Sequence, residues 1–122
     1  MTPFELRQAA LRETGIGGML ATAEPEQDQL AVEKYAGLHG QLRRDGLATW
    51  AEDEDVPAGA QQAMVYLLAN ALAKPMGAPD EEVIRLSQLG SYGADRTSLG
   101  ERMLLKYVAS RYVSQPATAE YF

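Results

Sequence analysis

No cysteine occurs anywhere in the 122 residues, and histidine occurs once, at His39. The first absence removes disulfides, thiolate metal ligands and thiol nucleophiles together. The second makes a multi-histidine metal site impossible within one chain. Long apolar runs are also missing: no stretch approaches the roughly 18 consecutive apolar residues a membrane-spanning helix requires. The first residues show no basic segment followed by an apolar run, so no secretory signal is expected. There is no alternating apolar–polar run bounded by turns, no internal repeat and no low-complexity tract, which leaves no strand candidate. What remains is 46% hydrophobic, enough for a core in a chain of one-domain length.

Positive charge is scarce in one half of the chain. Residues 1–56 carry 5 Lys and Arg against 11 Asp and Glu, whereas residues 57–122 carry 6 of each, so the net charge of −6 belongs to the first half. Backbone affinity for duplex DNA comes from counterion release by clustered cations. This balance points away from a DNA-wrapping surface.

The punctuation is helical throughout. Thr2-Pro3-Phe4-Glu5 reads as a capping box with proline at the first helical position. Phe4, Leu6, Ala10 and Leu11 then form an apolar stripe, and Gly15, Gly17 and Gly18 stop it, predicting a helix over about 3–15. Pro25 opens a second helix, with Glu24, Glu26 and Asp28 near the positive end of its dipole. Ala31, Tyr35, Leu38 and Leu42 share a face, Arg43 and Arg44 occupy the last turn, and Gly46 closes it. Gly37 and Gly40 inside this helix are expected to admit a closely packed neighbour, with a kink as the alternative.

Pro57 begins a third helix reaching about Lys74, with Ala60, Met64, Leu67, Leu68, Ala71 and Leu72 on its buried face. It lacks any charge from Ala58 to Ala73, so it is expected to be central. Pro79-Asp80-Glu81-Glu82 opens the next helix, on which Val83, Leu86 and Leu89 share a face. Ser98-Leu99-Gly100-Glu101 is a second capping box, followed by Met103, Leu104, Tyr107 and Val108. Residues 80–109 are one bent helix or two helices with a loop near 90–97, and two are expected. The sequence thus predicts an all-α bundle of four to five helices over 1–109. After Ala109 the stripe fades, yet 110–122 retains Tyr112, Tyr121 and Phe122. A frayed tail is normally small and polar, so these residues suggest an extended arm that anchors on a neighbouring subunit or partner.

Chemical signatures are few. His39 is expected to be a structural, partly exposed histidine. Gly15-Ile16-Gly17-Gly18 lacks both the Lys-Ser/Thr of a phosphate loop and the preceding strand of a dinucleotide site, so it is a helix stop. Glu52-Asp53-Glu54-Asp55 is the only charge run. Clustered carboxylates suit hard cations, but the calcium-loop spacing is absent, and a solvated loop or acidic rim is the better reading. Glu13 with a second carboxylate would suit a small peptidoglycan-cleaving hydrolase. Arg43-Arg44, or Arg96 with Arg102, would suit a helical DNA-binding regulator. Tyr35, Trp50, Tyr66, Tyr92 and Tyr107 are expected to pack between helices.

The order of these elements resembles the head-to-tail adaptor proteins of tailed phages, and in particular the tail accessory factors beneath the portal of short-tailed phages. The residues that carry it are Ala9-Ala10-Leu11-Arg12-Glu13-Thr14-Gly15-Ile16-Gly17, then Glu24-Pro25-Glu26 opening a long helix. It continues through Leu38, Leu42, Gly46-Leu47 and Trp50. It ends with Pro57 ahead of the apolar helix Ala63 to Ala73, then Gly77 and Pro79 before an acidic helix start. The likeness spans about residues 5–89. It implies a non-enzymatic virion protein, assembled in the host cytoplasm as a dodecameric ring under the portal protein. It further implies contact with a tail or nozzle protein, passage of DNA through the channel without specific binding, no cofactor and no membrane. On that reading Arg111, Tyr112, Val113, Tyr121 and Phe122 bind the portal or a neighbouring subunit. Glu52, Asp53, Glu54 and Asp55 line an acidic channel or rim.

Overall fold

The computed structural model describes residues 1–15 and 25–113, and all regular structure among them is helical. The helices are α1 (Pro3–Glu13), α2 (Pro25–Arg44), α3 (Gln61–Ala73), α4 (Asp80–Gly90) and α5 (Leu99–Val113), with a single 3-10 turn at Ala58–Ala60 leading into α3. The all-α bundle read from the sequence is therefore the fold, and residues 91–98 separate α4 from α5.

Helix boundaries follow local chemistry. Thr2 N–H donates to Glu5 Oε1 at 2.8 Å and Glu5 N–H donates back to Thr2 Oγ1 at 3.1 Å, completing the capping box. Those bonds, the one from the Thr2 backbone foremost, hold the Glu5 carboxyl below its usual range. At the far end of α2, Gly46 adopts φ +80°. Its N–H reaches Arg43 O at 3.1 Å and Leu47 N–H reaches back to Leu42 O at 2.8 Å. This is the left-handed glycine stop with paired reverse bonds. The second capping box forms only in part. Ser98 Oγ accepts from Glu101 N–H, but Glu101 Oε1 accepts from Gly93 N–H and ties down the loop instead.

Helix α3 is the axis of the bundle and packs against all four other helices, most extensively against α4 and α1. Eight of its thirteen residues are buried, among them Met64, Leu67, Leu68 and Leu72, so it is covered nearly all round. Around it lie Leu6, Ala10 and Leu11 of α1, Ala31, Tyr35 and Leu42 of α2, Leu86 of α4 and Leu104 of α5.

Three packing expectations are corrected. Phe4 is 57% exposed, because a residue two positions from Leu6 projects about 200° away on a helix. On α2 the third position of the buried face belongs to His39, while Leu38 is half-buried. The close helix approaches occur at Gly90 and Gly100. A Cβ on Gly90 would lie 1.9 Å from Tyr66 O, and one on Gly100 would lie 2.8 Å from Leu89 O. A Cβ on Gly37 would meet nothing within 4 Å, and one on Gly40 only Arg44 Nη1 at 3.9 Å.

Two glycine substitutions separate these roles. Gly90→Ala drives a methyl into the α3 backbone and is expected to destabilise the fold by about 3 kcal/mol or more. Gly37→Ala is expected to stabilise it by about 0.5–1 kcal/mol through helix propensity. Urea midpoints of the two variants check both signs.

Candidate functional site

A polar knot in the interior surrounds Trp50. The segment after α2 folds back so that the Trp50 carbonyl accepts from His39 Nε2 at 2.7 Å and from Arg43 Nη1 at 3.2 Å. Because a carbonyl only accepts, Nε2 carries the proton. Trp50 Nε1 donates to Tyr35 Oη at 3.1 Å, and burial raises the Tyr35 hydroxyl above its usual value. His39 is 4% exposed, so its expected partial exposure is corrected, whereas its structural role stands. A ring held against a main-chain carbonyl, and lying tilted between the Tyr35 and Trp50 rings, clamps the α2–α3 connection.

Glu13 lies beside α4. Arg85 reaches its carboxylate at 3.3 Å, its carbonyl at 2.9 Å and the Glu82 carboxylate at 2.8 Å. One guanidinium thus bridges two carboxylates, an arrangement that staples α1 to α4 and offsets part of their charge.

The expected partner and rim residues fall in three places. Glu52, Asp53, Glu54 and Asp55 are all exposed, on the connection between α2 and the 3-10 turn. Glu54 Oε1 accepts from Ala51 N–H at 2.7 Å, which shapes the turn; the other three carboxylates make no hydrogen bond or ion pair among the described residues. Arg111, Tyr112 and Val113 lie in the last turns of α5, so the first four residues of the predicted arm (110–113) are helical, and its remainder lies outside the described residues. The physical reason is that Met103, Leu104 and Tyr107 hold α5 on the bundle, and no proline before Pro116 forbids continuing the helix. Arg111 Nη1 donates to Thr49 Oγ1 at 3.2 Å and to Tyr107 Oη at 3.1 Å within its own chain. Tyr121 and Phe122 lie outside the described residues.

Two surface depressions escaped the sequence reading. A groove of about 480 Å³ runs between α2 and α3, with Lys34, Gly37, Leu38, Leu67 and Tyr92 on its walls. A wider cleft of about 730 Å³ opens over the α4–α5 loop, and its lining includes Arg96, Arg102, Gln88 and four hydroxyl side chains but no carboxylate. The signal for it was the scarcity of acids between Ser87 and Arg102, where only Asp95 and Glu101 occur. Among the described residues, no group of acidic or histidine side chains is placed to hold a metal ion, and no helix is long and apolar enough to cross a membrane.

Tyr92 latches the same loop to the end of α2, its hydroxyl donating to Asp45 Oδ2 at 2.5 Å. Burial first, and the Asp45 bond second, push that hydroxyl far above its ordinary value of 10.0. A raised value in the fold means that Tyr92 contributes fully below about pH 10 and loses that contribution as pH rises further, because only the unfolded chain ionises freely. Thermal melts above pH 10 are expected to fall steeply in the native chain and less steeply in Tyr92→Phe. At neutral pH the same variant should cost about 1 kcal/mol for the lost hydrogen bond.

Compared with protein-family models, curated proteins and solved structures, the chain matches none.

Proposed function

We propose that this chain is a structural virion subunit, a head-to-tail adaptor that forms a ring beneath a phage portal and extends the DNA channel toward the tail. The observation that carries this reading is the course of α5. From Leu105 to Arg111 none of its residues is buried, although Tyr107 packs over Gly59 and Arg111 bonds Thr49, and the sequence after α5 holds Tyr121 and Phe122. A half-covered helix followed by aromatic residues suits attachment to another protein. The body supports the same reading. It presents exposed Phe4, Val32, Ile84, Leu99 and Leu105 for contact with neighbours.

The net charge of −6 suits a conduit. DNA phosphates are repelled by an acidic ring and slide through it without adhering. Glu52 to Asp55 then form an acidic rim of that ring. The hydrolase reading draws no support from Glu13, whose carboxylate is taken up by Arg85. Of the DNA-regulator candidates, Arg43 is used on the Trp50 carbonyl, whereas Arg96 and Arg102 line one cleft; the net charge of −6 weighs against duplex binding through them.

The test is the mass of the purified chain alone and after mixing with portal rings, measured by sedimentation. Portal rings are expected to take up a full ring of copies. A chain ending at Val113 is expected to keep its far-UV helicity and to lose that uptake. Unchanged uptake by the shortened chain would remove the arm from the proposal, and no uptake by the full chain would remove the adaptor function.

A further inference from the structure

Among the described residues, two like-charge clusters that make no ion pair have opposite sign and lie at opposite ends of one helix. The cleft over the α4–α5 loop is flanked by the start of α5, with Arg96 just before the Ser98 cap and Arg102 one turn in. Neither guanidinium makes an ion pair or side-chain hydrogen bond among the described residues, and around them stand Ser87, Gln88, Ser91 and Thr97. Five N–H donors on each arginine, with the Gln88 amide and the Ser91 and Thr97 hydroxyls, form a receptor for carboxylate oxygens, the Ser87 hydroxyl being donated to Ile84 O. Asp95 lies beside this cleft but does not line it.

The acidic loop is the complementary half. Arg111 bonded to Thr49, and Tyr107 packed over Gly59, place the connection containing Glu52, Asp53 and Asp55 beside the far end of α5. From Ser98 to Arg111 the helix rises about 20 Å, so the loop cannot reach the cleft of its own molecule. An exposed apolar residue accompanies each cluster. Leu99 is next to Ser98, and Phe4 follows Met1, whose carbonyl accepts from Val56 N–H at the end of the acidic loop.

We infer that the Arg96–Arg102 cleft is the socket for the Glu52–Asp55 loop of a second copy of this chain. The contact is head-to-tail, since the surface offered differs from the surface received. Repetition of such a contact closes into a ring when the rotation per copy divides a full turn. This inference rests on the ring proposed above and names the boundary between its subunits. It also places the acidic rim between subunits, away from the channel lining. A phosphate-bearing ligand in the same cleft is the competing outcome.

Charge reversal on each side tests it. One variant carries Arg96→Glu with Arg102→Glu; the other carries Glu52→Lys, Asp53→Lys and Asp55→Lys, sparing Glu54, which shapes the turn. All five positions are exposed, and far-UV circular dichroism checks that the fold is kept. Each variant alone is expected to self-associate about tenfold or more weakly than the native chain at low salt. An equimolar mixture of the two is expected to regain association, because every junction then joins unlike charges. A mixture that stays dissociated, or a reversed variant that assembles like the native chain, overturns the socket.

The chain's lack of cysteine supplies a second measurement. Asp53→Cys combined with Arg102→Cys is expected to give a ladder of disulfide-linked multimers on oxidation at high concentration, and either single variant to stop at dimers. No ladder overturns the inference, and so does cleft protection by inorganic phosphate with no ladder. The two proposals fail separately. Reversed variants that still fill portal rings remove the socket and leave the adaptor in place. A ladder from a chain that never binds portal rings leaves the socket and removes the adaptor.

Discussion

Thirteen residues of α3 carry no charge and have to be shielded from water on nearly every side, and the remaining chain supplies four helices to do it. That enclosure sets the terms for everything else. Because α4 and α5 must close over the same turn of α3, the backbone of α4 approaches Tyr66 so nearly that only a glycine fits at position 90, and Gly100 repeats the condition where α5 meets Leu89. Once α4 and α5 are fixed there, residues 91–98 have to bridge them on the surface. Their polar groups are taken up by Glu101, Ser98 and the Tyr92–Asp45 bond.

Enclosure also explains why the charged and apolar features available for partners sit where they do. With α3 covered, the outward faces of α1, α4 and α5 have no internal task, and they display Phe4, Ile84, Leu99 and Leu105. The α2–α3 connection is long because it must return from the end of α2 to the start of α3. His39 and Arg43 secure its first part through the Trp50 carbonyl, and Val56 secures its last part through Met1. Between those anchors Glu52 to Asp55 have only solvent to face, so the acidic run is presented on a braced loop.

The helices were legible because their ends are chemically explicit: Thr2, Pro25, Pro79 and Ser98 at the starts, Gly15 and Gly46 at the stops. The central place of α3 was legible from its lack of charge. Less legible was the phase of each buried face. Leu38 and His39 are adjacent on α2, and the sequence favours the leucine, yet the buried position falls to the histidine because Trp50 returns over it with a carbonyl to bond. The small residues misled for a related reason. Gly37 and Gly90 look alike in a helix, and only the position of Tyr66 distinguishes an open site from a filled one. The arm boundary was misjudged because helix α5 is held by Leu104 and its partly buried neighbours and then continues on its own propensity through Val113. The sequence paired Arg96 with Arg102, as a DNA contact, but not the cleft around them, because its walls come from two helices and the loop between them and spacing along the chain does not show which cations lack a partner.

The contact inferred between copies has an energetic consequence. Exposed ion pairs contribute about 0–1 kcal/mol each and weaken with salt, so a three-carboxylate loop on a two-arginine cleft sets register far more than it sets affinity. The remainder has to come from apolar contact, and the exposed side chains near each cluster are single residues, Leu99 at one and Phe4 at the other. One such junction is therefore weak, and a free pair of subunits gains only one. A subunit inside a closed ring gains two, and one held on a template by a terminal arm gains them at high local concentration. On the proposed reading, copies joined this way associate weakly alone and more firmly on a platform that collects them.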